Sequence, residues 1–160
     1  MYMDKLVQLL EKNARISDQQ LAVMTGLSVE EVREKIYQYE RKGILRGYKA
    51  LIDWEQYDSD YITSMIELKV TPEKDKGFED VAKQIMEFDE VESVYLMSGT
   101  FDLCVTVTGR DFHEVALFVA EQLSPIESVV ETSTHFVLRR YKDRGVKFYD
   151  SKSDERGKLL

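Results

Sequence analysis

Two groups of residues in this sequence have the types and spacing to do chemistry. The first is cationic. Arg33, Lys35 and Arg41 recur along one stretch, and Lys42, Arg46 and Lys49 follow closely. Guanidinium and ammonium groups in such density suit phosphate. An arginine can also read a base edge with two parallel hydrogen bonds. Ser28, Tyr37 and Gln38 add neutral donors and acceptors to the same stretch. The second group is the turn Ser98-Gly99-Thr100-Phe101-Asp102. A free amino acid presents a carboxylate and an ammonium. Backbone N–H groups around Gly99 can take the first, and the Asp102 carboxylate can take the second. Thr132 and Thr134 are two apart, hence on one face of a strand, and their hydroxyls could assist. Glycine and aspartate are equally favoured in a plain hairpin turn, so these residues alone leave both readings open.

The cations need elements to hold them, and residues 16–48 supply them. Ser17 with Gln20 three residues on is a capping-box start, and so is Ser28 with Glu31. Leu21, Ala22 and Met24 are the expected apolar face of the first helix. Gly26 can take the positive φ that stops it. Val32, Ile36 and Tyr39 repeat at helical spacing in the second, which Gly43 ends. Ala22, one turn before the glycine, lets the two helices approach. Met3, Leu6, Val7 and Leu10 mark a supporting helix before them. Tyr48 to Asp53 reads as a strand. This is a helix-turn-helix followed by a wing, a unit that places its second helix in the DNA major groove. Glu30, Arg33, Glu34, Tyr37 and Arg41 fall opposite the apolar stripe and would face the groove. The bland alternative is an ordinary helical hairpin in a core.

Charge sorts the rest. The chain has 160 residues, 43% hydrophobic and 32% charged, with a formal net charge of −8. Residues 1–50 carry nine basic and seven acidic side chains, a net of +2. The remainder carries 13 and 23, a net of −10, which makes it a poor neighbour for phosphate. Cys104 alternates with valines and reads as a small buried hydrophobe. A single cysteine, no signal peptide and no apolar run long enough for a membrane helix point to the cytoplasm. His113 and His135 have no partner at ligand spacing, so no metal site and no cofactor is expected. No phosphate loop, dinucleotide glycine pattern or nucleophile elbow is present. The expectation is a binding protein rather than an enzyme.

Beyond the Trp54–Asp60 connection, strands and helices alternate. Ile62, Ile66, Leu68 and Val70 mark a strand, ended by Pro72 and the charged residues after it. Phe78, Val81, Ala82, Ile85 and Met86 mark a helix, and residues 91–97 a strand. Leu103, Val105 and Val107 mark the next strand. Phe112, Val115, Ala116, Val119 and Leu123 mark a helix, and residues 130–138 a last strand. The order β-α-β-β-α-β predicts an α+β fold, a ferredoxin-like domain with both helices on one sheet face. Met65, Tyr95, Met97, Cys104, Val129 and Val137 are expected on the other face. That is too apolar for water and predicts at least a homodimer. The expected division is 1–53 winged helix-turn-helix, 54–60 linker, 61–141 ferredoxin-like domain and 142–160 a charged tail.

The stretches RISDQQLAVMTGLSVEEV, GILRGYKALID, YLMSGTFDLCV and THFVL, in this order, resemble the Lrp/AsnC, or feast/famine, regulators over about residues 3–141. The resemblance implies a transcription regulator. It would bind double-stranded DNA through its first domain, oligomerise through its second and sense a small effector, usually an amino acid. Ser98–Asp102 matches the family's Gly-x-x-Asp effector loop. One departure stands out. Glu30 and Glu31 fill positions that are usually small, and Glu34, Tyr37 and Gln38 fill positions that are usually basic. Weak non-specific DNA affinity follows, with specific binding depending on linked copies. Two other functions compete. One is an oligomeric amino-acid-binding module with weak DNA contacts. The other resembles the sirohaem decarboxylases, although an acidic domain suits a polycarboxylate substrate poorly.

Overall fold

The structure is a computed structural model that describes residues 4–57, 60–71 and 77–149. Met3 and Pro72, both assigned to elements above, lie outside the described residues, as do residues 73–76 and 150–160. The chain forms two compact units, 1–51 and 52–160. Among the described residues no helix is long and apolar enough to cross a membrane.

The first unit is three helices: α1 (Lys5–Lys12), α2 (Asp18–Thr25) and α3 (Val29–Arg41). Both expected capping boxes form. The Ser17 hydroxyl accepts from the Gln20 N–H, and the Ser28 hydroxyl from the Glu31 N–H, each with the reciprocal bond. Gly26 sits at φ 76°, a left-handed stop that residues with a Cβ resist. Leu6, Leu10, Leu21, Ala22 and Val32 are buried together, with Ile36 and Tyr39 packed against them. Met24 departs from the expected face and is 44% exposed. It lies three residues beyond Leu21, but the short helix turns it outward. The expected strand over Tyr48–Asp53 has no ladder partner among the described residues. A strand needs a neighbour, and the residues before it are spent on the helix end and a turn.

Asp4 ties this unit together. Its carboxylate caps α1 by accepting from the Leu6 N–H at 2.9 Å. It also accepts from the Tyr39 hydroxyl at 2.5 Å and from Lys35 Nζ at 3.0 Å, both on α3.

The second unit is an antiparallel sheet with helices on one face. Its elements are α4 (Trp54–Tyr57), β1 (Ile62–Val70), α5 (Phe78–Met86), β2 (Val91–Leu96), β3 (Leu103–Gly109), α6 (Phe112–Phe118) and β4 (Val129–Phe136). The order β2-β3-β1-β4 is the ferredoxin-like one. Ile66, Leu68, Val70, Leu103, Val105 and Val107 alternate onto the helix side and meet Val81, Ile85, Phe118 and Leu123. Trp54 stacks on Tyr61 at 4.7 Å, so the linker aromatic docks on this unit.

Three details were not anticipated. The single helix expected through Leu123 becomes a π turn over Val119–Leu123, closed by the Ser124 N–H on the Val119 carbonyl at 2.8 Å. β1 pairs Lys69 with Glu131 but Val70 with Val129, leaving Val130 as an extra residue. That bulge turns Val129 onto the core side, not the open face expected for it. The stretch read as a tail begins with a hairpin, β5 (Lys142–Asp143) and β6 (Val146–Lys147).

The Asp4 contacts give a test. They hold its carboxyl at about 2, below the 3.8 of a free aspartate, chiefly through the Tyr39 hydroxyl, then the Leu6 N–H and Lys35. A depressed carboxyl contributes stability above its unfolded pKa and loses it as pH falls through the folded one. Acid should therefore weaken the first unit between about pH 4 and pH 2 more in wild type than in Asp4→Asn. At neutral pH, Asp4→Ala should cost roughly 0.5–2 kcal/mol, the usual value of an N-cap. Far-UV circular dichroism during urea unfolding at several pH values measures both. Equal acid sensitivity of wild type and Asp4→Asn would contradict this role.

Candidate functional site

The candidate DNA face is the outer side of α3. Val32 anchors the helix inward, and Glu30, Arg33, Glu34, Tyr37, Gln38 and Arg41 are exposed. Several of these side chains are already engaged. Arg33 Nε donates to Asp18 Oδ2 on α2 at 2.8 Å, and that bond pushes its pKa up. Lys35 turns toward α1 and holds Asp4, which likewise raises its pKa. Ser28 spends its hydroxyl on the cap. Gln38 Nε2 donates to Glu34 Oε1 at 2.9 Å, and the Arg41 guanidinium lies 5.8 Å from the Tyr37 ring centroid. Glu31 closes the capping box through the Ser28 N–H at 2.8 Å, so the outward glutamates reduce to Glu30 and Glu34.

The cations beyond the helix divide in the same way. Gly43 sits at φ 66°, and the Arg46 guanidinium folds over it so closely that a Cβ there would lie 2.9 Å from Cζ. Tyr48 donates to Glu40 at 3.0 Å and ties the following segment to α3. Arg41, Lys42 and Lys49 are exposed, with no ion pair among the described residues. The sequence treated all six cations alike. The fold separates them: Arg33 and Lys35 are in ion pairs, Arg46 folds over Gly43, Arg41 lies near the Tyr37 ring, and Lys42 and Lys49 are exposed.

The second candidate is the β2–β3 turn. The Met97 N–H donates to the Asp102 carbonyl at 2.8 Å and closes it. Ser98, Gly99 and Thr100 are exposed, and Phe101 and Asp102 half-buried. Gly99 has φ 143°, and a Cβ there would meet nothing within 4 Å. Glycine is required for its backbone angle, not for room. The Asp102 N–H donates to the Leu68 carbonyl at 2.9 Å, and Asp102 Oδ2 accepts from the Val70 N–H at 2.8 Å. That N–H lies at the bulge, where the ladder to β4 slips. The carboxylate thus has a structural duty that the sequence did not signal.

Thr132 and Thr134 do not join the turn in this unit. They pair with Leu68 and Ile66, whose side chains are in the core, so they share the helix side of the sheet. β1 also lies between their strand and β3. The open face carries Met65, Glu67, Tyr95, Cys104, Ser133 and His135, with His135 Nε2 3.4 Å from Glu67 Oε2. Burial, then Glu67, pushes the Cys104 thiol up, away from reactivity. Among the described residues no three His, Cys, Asp or Glu are placed to hold a metal. A cavity of about 150 Å³ lies on the helix side, lined by Glu90, Thr108, Glu114, Phe118 and Glu121 among others, and includes none of the turn residues.

The Val70 contact separates two roles of Asp102. Asparagine keeps an acceptor oxygen, so Asp102→Asn should leave unit stability nearly unchanged. Asp102→Leu leaves the Val70 N–H without its partner and should cost about 1–3 kcal/mol. Trp54, the single tryptophan, belongs to this unit, so its fluorescence in urea reports the difference. Equal stability of the two variants would mean that the Val70 bond contributes nothing.

Comparison with known proteins now adds to this geometry. Residues 63–146 match the family model described as the Lrp/AsnC ligand binding domain. The chain is 42% identical over 153 residues to the HTH-type transcriptional regulator YugG of Bacillus subtilis, covering 95% of this chain and 92% of that protein. It is 27% identical over 138 residues to the leucine-responsive regulatory protein of Haemophilus influenzae, covering 86% and 82%. A transcriptional regulator of Neisseria meningitidis, solved as a complex with L-Met, superposes with a TM-score of 0.72. It is 26% identical and the match covers 89% of this chain and 94% of that one. The chain belongs to the Lrp/AsnC family of helix-turn-helix transcriptional regulators.

Proposed function

We propose that this regulator senses a free amino acid at the turn Ser98–Asp102 and contacts DNA through the outer face of α3. The observation that carries the sensing half is the state of Asp102. One carboxylate oxygen is held by the Val70 N–H, which fixes the group's direction, and the other is left to accept from an ammonium. Gly99, at an angle only glycine tolerates well, leaves the backbone N–H groups of the turn open to a carboxylate. The relative solved with L-Met supports the class of ligand, an amino acid, without fixing which one. Thr132 and Thr134 contribute to the site only if the ligand or a second subunit reaches the helix side of β4.

The DNA half rests on Arg41, Lys42 and Lys49 as exposed cations, with Tyr37 and Gln38 as polar groups beside them. Arg33 and Arg46 can join by exchanging their present partners for phosphate. Association of copies is supported by Met65, Tyr95 and Met97, exposed on or beside the open sheet face. A dimer or larger homo-oligomer would cover them. The second reading, an amino-acid-binding module with weak DNA contacts, is favoured by Glu30 and Glu34 on the outer face and by the pairing of Arg33 and Lys35.

Two measurements test the proposal. Calorimetry of the twenty amino acids should find one or a few that bind wild type, with Asp102→Asn weaker by about tenfold to a hundredfold. That is the value of a hydrogen bond to a charged group, roughly 1.5–3 kcal/mol. Binding that is unchanged in the variant would remove the turn as the site. DNA from upstream of the regulator's own gene should bind more weakly to Arg41→Ala, by about 1–3 kcal/mol if Arg41 reads a base. Failure of wild type to prefer that DNA over unrelated duplex would favour the second reading.

A further inference from the structure

We infer that the β5–β6 hairpin is a second phosphate-binding element, which grips the DNA backbone without reading sequence. Residues 52–138 carry five basic and 19 acidic side chains, a net of −14. The next eleven residues, 139–149, carry five basic and one acidic, a net of +4. Residues 41–51, the last residue of α3 and the segment after it, also have a net of +4. The hairpin therefore has the charge density of the segment beside α3, on a unit that otherwise repels phosphate.

Its structure is organised around exposed cations. Arg140 pairs with Asp143 at 3.7 Å and lies 5.1 Å from the Phe148 ring centroid. Tyr141 and Tyr149 meet at 5.6 Å, and the Phe148 N–H donates to the Tyr141 carbonyl at 3.0 Å. These contacts brace the base of the ribbon and leave Lys142, Arg144 and Lys147 exposed, with no acidic partner among the described residues. Two local rules are broken there. Lys142 and Lys147 are directly paired across the strands, where like charges repel. Arg144 stands at φ 44°, in the left-handed region, beside Gly145 at φ 85°. An anion between the lysines removes the repulsion. A two-stranded ribbon is also narrow enough to follow a groove and reach both of its phosphate rims.

The hairpin is anchored at one end of the sheet. The Val137 N–H donates to the Thr63 carbonyl at 2.9 Å, so the ribbon leaves the sheet where β1 begins. Tyr61, at that same end, is stacked by Trp54. An acidic surface of a second copy is the competing partner, and the test separates the two.

The inference rests on the DNA-binding reading above. The full-length variant Lys142→Gln/Arg144→Asn/Lys147→Gln removes three charges, and asparagine tolerates the left-handed backbone at the tip. Fluorescence anisotropy with a labelled mixed-sequence duplex should show weaker binding across a salt titration. The loss should be about tenfold to a few hundredfold at low salt, with the slope of log K against log salt flatter by about 2–3. Light scattering should give the wild-type mass. An unchanged slope in the variant overturns the inference. A reduced mass together with the flatter slope also overturns it, because the cations then serve a second copy. Wild type that binds no duplex at all would overturn the DNA-binding reading itself, and this inference with it.

Discussion

The second unit depends on β1 being paired along both edges, with one face sealed. Ile66, Leu68 and Val70 alternate onto the side that also receives Leu103, Val105 and Val107. Each such side chain contributes roughly 1.5–3 kcal/mol when fully buried. Ser64, buried on the same side, donates to the Val107 carbonyl at 3.2 Å and so leaves no orphaned hydroxyl. A slip of one residue would exchange these for Met65, Glu67 and Lys69, and two charges would enter the core. The register is therefore fixed, and it fixes the turn as well. Leu68 offers its carbonyl to the Asp102 N–H, and Val70 offers its N–H to the Asp102 carboxylate. The β2–β3 turn is thus an extension of β1, not a free loop.

In the first unit the same economy is electrostatic. Asp4, on the chain before α1, collects one backbone N–H and two α3 side chains, and its carboxyl sits near 2 as a result. The Arg33–Asp18 pair joins α3 to α2. Both pairs lie in partly exposed positions, where an ion pair is worth little in itself. Their consequence is local. They link α3 to α2 and to the start of α1, and in this state they engage two cations that phosphate would have to win from their partners.

Most of the element order was legible, and the reasons are local. Capping boxes at Ser17 and Ser28 and the glycine at residue 26 act within a few residues, so spacing alone reveals them. The alternation of Leu103, Val105 and Val107 with Cys104, Thr106 and Thr108 marks a strand with one apolar face. What was missed depends on partners distant in sequence. The bulge at Val130 exists only against β1, so the phase of Val129 could not be read from β4 itself. The π turn preserves the spacing of Val119 and Leu123 that suggested an ordinary helix. The hairpin at residues 142–147 has two-residue strands, and beside the favourable Gly145 its turn puts an arginine in a glycine-like conformation. Asp102 could be nominated for an ammonium from its type. Its bond to Val70 could not, because 32 residues separate the two.

The acidic character of α3 need not be a defect in a regulator. Non-specific binding comes almost entirely from phosphate attraction, whereas specific binding adds base contacts. If α3 enters the groove as proposed, Glu30 and Glu34 would subtract from the first more than from the second, because a glutamate set against a base edge can accept from a cytosine amino group. The ratio of specific to non-specific affinity then rises even as both fall. That ratio, not the affinity itself, decides occupancy against a genome of competing sites. Lost affinity is recovered by linking copies, since a second helix-turn-helix on the same assembly binds at a high effective concentration. On the proposed reading, a weak, discriminating reading head would also respond more fully to an effector. Changing the number or spacing of linked heads then moves occupancy across its steep range, which a single tight site would not allow.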